Sequence, residues 1–221
     1  SFNSFSGGDG DFYLVLTNGN GEQHRFDWGW HTTSEVHRFD WGWHNGAYTF
    51  PTATSTCTED CFSNVLFLPG IKGSVLKSGA DTLWPPTILS NDLPQLALHP
   101  DGTSVNLITV DGILNTFYGA PIYSPFSGFM DGLVSDGTIN EWLPLGYDWR
   151  YSPDYILDHD VMTSSGTMSV VNEIEQLASR SKTGKVSIVA HSMGGLVGKA
   201  IIKRLEEEGK EDLIDSFVMV G

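Results

Sequence analysis

Cysteine is almost absent from this chain: Cys57 and Cys61 are the only two, both within the segment CTEDC. A metal site of the paired-cysteine kind needs a second pair, so that class is excluded. The spacing can close a Cys57–Cys61 disulfide loop, which implies an oxidising compartment, and two reduced thiols in a linker fit equally. Basic residues are also scarce, 12 Lys and Arg against 27 Asp and Glu, for a net charge of -15. Such a chain repels phosphate backbones and anionic headgroups at long range, which argues against nucleic acid as a partner. No apolar run approaches the roughly 20 residues that span a bilayer, so no transmembrane segment is expected. No basic stretch precedes an apolar one at the start, and the chain opens on Ser1 rather than Met, so its true start is expected to lie upstream. Finally, no histidine follows position 191.

What is present divides into three parts. Residues 1–50 are rich in aromatics and contain HRFDWGWH twice, at 24–31 and 37–44, separated by TTSEV. Phe26, Trp28 and Trp30 alternate with Arg25, Asp27 and Gly29, a strand pattern, so a small antiparallel β unit carrying an octapeptide duplication is expected. The histidines at the octapeptide ends are seven apart and point to opposite faces of a strand, which scatters them and leaves no metal cluster. The tryptophans read as core or a domain contact, with sugar stacking or a lipid interface as alternatives. Residues 51–63, PTATSTCTEDCFS, are poor in bulky apolar side chains and read as a linker.

From residue 64 the pattern changes. NVLFLPG is a continuous apolar run closed by Pro and Gly, the mark of a buried parallel strand. Residues 71–140 mix Gly, Pro, Ser, Asn and Asp with short apolar pieces, and are expected to be irregular insertions around a site. EWLPLGYDWR, 141–150, reads as a second strand and its exit. Val170, Val171, Ile174, Leu177 and Ala178 then recur at helical spacing, with Glu173, Glu175 and Arg180 left for solvent. KVSIVA is a third strand, GGLVGKAIIKRLEEE a helix with Leu196, Val197, Ala200, Ile201 and Leu205 as its apolar face, and SFVMV a fourth strand. Alternating strand and helix predicts an α/β fold with a parallel sheet and helices on both faces.

AHSMG, 190–194, falls where a strand turns into a helix. A nucleophile elbow, G-x-S-x-G, needs small residues two before and two after the serine so that the backbone can turn and project the hydroxyl. Ala190 departs mildly from that pattern and Gly194 keeps it, making Ser192 the candidate nucleophile. A hydroxyl needs a base, a carboxylate to orient the base, and N–H donors for the oxyanion. Backbone N–H groups of Met193, at the helix start, and Ile71, in PGIKGS after the first strand, fit the donor positions. His191 adjoins the serine but a sharp elbow turns it away, so it reads as packing. His99 and His159 precede the serine, whereas this fold supplies its acid and then its histidine afterwards. Glu206 to Glu208, Asp212 and Asp215 read as solvated charge.

FLPGIKGS, DTLWPP, GYDWR and AHSMGG together resemble the lecithin:cholesterol acyltransferase family of α/β hydrolases, over roughly residues 64–221. The resemblance implies attack by Ser192 on a lipid acyl ester, with Ile71 and Met193 at the oxyanion-hole positions. It implies no metal and no organic cofactor. It also implies a lid and membrane-binding insertion before GYDWR, and a secreted or cell-envelope setting. Asp148 and Arg150 are expected to pair and support the pocket wall. Tyr147 and Trp149 are expected to line an acyl pocket or pack in the core. The family's catalytic Asp and His would follow Gly221, so 64–221 reads as the N-terminal part of an α/β-hydrolase domain, poorly stable and nearly inactive alone. The competing reading is a noncatalytic surface or polymer-binding protein on a degenerate hydrolase scaffold.

Overall fold

The structure, a computed structural model, describes residues 12–17, 23–28, 62–87 and 92–221. Near the start, β1 (Phe12–Thr17) and β2 (Gln23–Trp28) pair antiparallel, with Leu14 opposite Phe26 and Leu16 opposite His24. The first octapeptide therefore enters a hairpin with the segment upstream of it. The second octapeptide, the linker and the Cys57–Cys61 pair lie outside the described residues.

The main sheet is built from β3 (Asn64–Leu68), β9 (Trp142–Pro144), β12 (Val186–His191) and β13 (Ile214–Val220), in the order β13-β12-β3-β9, all parallel. Its two central strands are buried on both faces. Leu66 and Leu68 of β3, with Val186, Ile188 and Ala190 of β12, face α3 (Val170–Ser179) and α4 (Met193–Glu207). Val65, Phe67 and Val189 face α1 (Ser124–Ser135) through Phe126, Met130 and Leu133. Adjacent residues of one strand thus serve opposite cores, the two-residue period of a pleat buried on both sides.

The stretch 71–140 is more ordered than its composition implies. It contains β4 (Ser74–Ser78), β5 (Asp81–Trp84), β6 (Thr109–Ile113), β7 (Thr116–Phe117) and β8 (Ala120–Pro121) as well as α1. With β10 (Val161–Thr163) and β11 (Gly166–Met168), three of these strands form a second sheet in the order β11-β10-β6-β4-β5. The strands are short, and left-handed glycines such as Gly79 and Gly112 interrupt the apolar pattern. In α1, SPFSGFMDGLVS has poor helix formers, yet Phe126, Met130 and Leu133 recur at i, i+4 and i+7 and bury against Phe67, at 4.6 Å between the Phe126 and Phe67 rings. Packing overrides propensity there.

Residues 145–150 leave β9 as expected and close in a turn, where the Asp148 carboxylate accepts the Arg150 N–H at 3.1 Å. One more expectation needs correction. In α4, Leu196 is 57% exposed. The buried stripe instead runs through Gly194, Gly195, Val197, Gly198, Ile201 and Leu205, since the glycines let the helix lie close on the sheet.

Asn64, fully buried at the start of β3, ties three elements together. Its Nδ2 donates to the Leu177 carbonyl at 3.0 Å, and its Oδ1 accepts the N–H groups of Asn140 and Glu141 at 3.2 and 2.9 Å. Asn64→Ala orphans these backbone groups and should cost about 2 kcal/mol, read as a lower urea midpoint at unchanged slope.

Candidate active site

The connection leaving β3 runs through α1 to β9, on one side of the sheet, and the connection leaving β12 runs through α4 to β13, on the other. Between β3 and β12 the topology therefore switches, and such sheets open a crevice at the carboxyl ends of the two strands. The loop 69–73 and the turn at 191–193 meet at this point.

Ser192 links β12 to α4 with φ 51° and ψ −121°, a left-handed conformation that costs a non-glycine residue on the order of 1–3 kcal/mol. Its N–H donates to Val220 O at 2.7 Å and its carbonyl accepts the Gly195 N–H at 2.9 Å, so both ends of the turn are fixed. The side chain does not cap α4, although serine commonly does at this position. It is exposed, and among the described residues the hydroxyl has no hydrogen-bond partner.

Small residues make the turn fit. Ala190 is fully buried at the end of β12. A methyl on Gly194 would lie 2.4 Å from Leu68 O and 2.7 Å from Pro69 O, so only glycine lets the first turn of α4 reach the end of β3. A methyl on Gly70 would meet His191 Nδ1 at 2.9 Å and Ser192 Cβ at 3.1 Å, which puts the loop directly against the serine. Ile71, next in that loop, is 59% exposed. Met193 opens α4, where a first-turn N–H has no intrahelical acceptor. Among the described residues neither the Ile71 nor the Met193 N–H is taken up by an acceptor of the protein.

Two buried tyrosines hold the loop from beneath. Tyr147, fully buried, donates its hydroxyl to Pro69 O at 2.5 Å, and its N–H donates to the Ser74 hydroxyl at 3.0 Å. Burial pushes its phenol pKa well up. Tyr123 accepts the Gly70 N–H at 2.9 Å. Tyr147 therefore packs in the core. Trp149, half-buried, sets its ring edge-on to Trp84 at 5.6 Å and donates to Ser74 O at 3.3 Å. Trp84 in turn donates to Lys72 O at 2.7 Å.

Asp148 and Arg150 pair as expected, bidentate at 2.9 and 2.6 Å. A second edge of the guanidinium donates to Leu96 O at 3.0 Å and Ser104 Oγ at 2.9 Å, pinning the segment between β5 and β6 to the turn. That fork geometry suits arginine and not lysine.

His191 turns one ring nitrogen to Tyr123. Its Nδ1 is 2.9 Å from the Tyr123 hydroxyl, and burial pushes its pKa below the usual imidazole range. His159 stacks on Tyr155 at 3.9 Å. Among the described residues no three His, Cys, Asp or Glu side chains gather as metal ligands, and no helix is long and apolar enough to cross a membrane. Tyr123 is the site residue that sequence reasoning missed. A single tyrosine in PIYSPF carries no periodic or motif signal, and only the fold brings it under the elbow.

A parallel α/β sheet with helices on both faces, a topological switch between its central strands and a strand–serine–helix turn define the hydrolase class of α/β folds. Within it, the chain belongs to the lecithin:cholesterol acyltransferase family, whose model matches residues 87–221 and so includes GYDWR and AHSMGG. The match leaves out FLPGIKGS and DTLWPP, which lie before residue 87. No curated protein and no solved structure matches the chain. The family implies acyltransferase- or lipase-type activity on lipids.

Proposed function

We propose that the protein is a serine-dependent lipase, esterase or O-acyltransferase of lipid metabolism, working through an acyl-enzyme on Ser192. The observation that carries this reading is the strained, exposed Ser192, its hydroxyl unused in capping, with the untaken N–H of Met193 next to it and the Gly70–Ile71 loop packed against its side chain. A base removes the hydroxyl proton as Oγ attacks the ester carbonyl, and the two N–H groups receive the oxyanion. The bond to the alcohol oxygen breaks, the alcohol leaves with a proton from the base, and the acyl group stays on Oγ. Water or a second alcohol then reverses these steps. We favour water, because transfer also requires an acceptor site.

In this fold the acid and the histidine follow the serine. Residues 193–221 contain no histidine, so the reading requires one from outside that segment, and its tests use the full-length protein. Ile71 and Leu196 supply exposed apolar surface suited to an acyl chain, Leu196 lying four residues along the helix from Ser192. No metal or organic cofactor enters this chemistry. An extracellular or cell-envelope setting belongs to the same reading and rests on family membership.

A fluorophosphonate should add one adduct, located on Ser192 by peptide mass spectrometry, and denatured protein should not react. An unlabelled serine in the folded protein would sink this reading and favour a noncatalytic binding module.

A further inference from the structure

Among the described residues, one oxygen bonds to both the loop 69–73 and the elbow. Tyr123 sits at the entry to α1, 3% exposed, with its ring edge-on to Phe67 at 5.0 Å. Its hydroxyl lies 2.9 Å from the Gly70 nitrogen, which donates to it, and 2.9 Å from His191 Nδ1. The loop curls around this oxygen: the Gly73 N–H returns to Gly70 O at 2.9 Å, and a methyl on Gly73 would lie 2.9 Å from the hydroxyl. Gly70 immediately precedes Ile71, and His191 immediately precedes Ser192.

A phenol that accepts from Gly70 still has its own proton to give, and a neutral imidazole nitrogen can take it. Burial keeps both partners in the required state, raising the Tyr123 pKa and lowering that of His191.

We propose that Tyr123 is a positioning residue for acyl transfer: its hydroxyl ties Gly70 to His191 and so sets the spacing between the Ile71 and Met193 N–H groups around the oxyanion. This rests on the serine reading above. Tyr123 touches neither substrate nor reacting atoms, and its effect passes through two backbone donors. Those donors bind the transition state better than the ester, so loss of the hydroxyl falls on kcat and spares KM. Tyr147 still holds Pro69 O in such a variant, so the loop is loosened without being released.

The test is steady-state hydrolysis of p-nitrophenyl butyrate by the full-length protein and its Tyr123→Phe, His191→Leu, His191→Asn and Ser192→Ala variants. Removing an oxyanion donor outright costs about 10²–10³ in kcat, so misplacing donors by Tyr123→Phe should cost roughly 10–100-fold with KM unchanged. His191→Leu should match it. His191→Asn, whose amide oxygen can stand where Nδ1 stands, should recover most of the rate, which a general packing defect would not permit. Should the phenylalanine variant not fold, the two histidine variants decide. Full kcat in Tyr123→Phe, a loss confined to KM, or an asparagine variant as slow as the leucine one overturns the positioning role. If Ser192→Ala keeps the wild-type rate, the serine reading falls and the positioning role falls with it. If Ser192→Ala is inactive while Tyr123→Phe runs at full speed, only the positioning role falls.

Discussion

Ser192→Ala should lower ester hydrolysis by the full-length protein at least ~10⁴-fold while leaving its melting temperature within about 2 °C of wild type. The loss follows from chemistry, since no acyl-enzyme can form without the hydroxyl, and donors alone retain only a small residual rate. The unchanged melting temperature follows from the turn. A serine that caps a helix contributes about 1 kcal/mol, but the Ser192 side chain makes no cap bond to lose. Alanine also tolerates φ 51° no better and no worse than serine. Ser192→Gly carries the same reasoning further: it should be equally inactive yet more stable by about 1 kcal/mol, because glycine adopts the left-handed region without strain. Activity and stability thus move independently at this position. A structural serine would show the reverse, with stability lost in Ser192→Ala and hydrolysis retained. Circular dichroism melts and initial rates on the same three samples separate the two cases.

The elements that were legible in the sequence share one property, an unbroken period. NVLFL, the helix from Val170, KVSIVA and SFVMV each carry an apolar pattern long enough to show their geometry, and they became β3, α3, β12 and β13. The elbow was legible for a related reason, since its strand, serine, glycine and helix are contiguous. Where burial is shared among distant pieces the sequence is mute. The second sheet uses strands of five residues or fewer joined by left-handed glycines, and α1 is held by three apolar side chains against a tolerant backbone. Leu196 was assigned to the buried face because hydropathy counts side chains and cannot count their absence. Gly194, Gly195 and Gly198 are what the sheet receives. Tyr123 was invisible because its partners, Gly70 and His191, lie 53 and 68 residues away. The GYDWR segment was half legible: the ion pair was expected from residue types, but its turn depends on an Asp148 side chain bonding to the backbone two residues on.

Gly194→Ala should destabilise the protein by at least about 3 kcal/mol and slow the remaining folded enzyme about 100-fold. In an exposed helix interior the same change stabilises by up to about 1 kcal/mol, because alanine loses less backbone freedom on folding. Gly128 and Gly132 in α1 are such positions: both are exposed and a methyl at either meets nothing within 4 Å. At Gly194 the added methyl would stand 2.4 Å from Leu68 O and 2.7 Å from Pro69 O. Neither oxygen belongs to a side chain that could rotate away, so α4 must lift from β3 or the strand end must give by about 1 Å, which is costly in a close-packed interior. Either movement carries Met193 or the loop containing Ile71 with it, and a misplacement of about 1 Å at reacting groups is worth about 10²-fold in rate. Thermal unfolding of the three alanine variants therefore has a sign to decide. If Gly128→Ala and Gly132→Ala raise the melting temperature while Gly194→Ala lowers it, the close approach of helix and strand is what glycine secures. If Gly194→Ala behaves like the other two, the elbow is looser than its geometry implies, and the donor spacing attributed to it has no foundation.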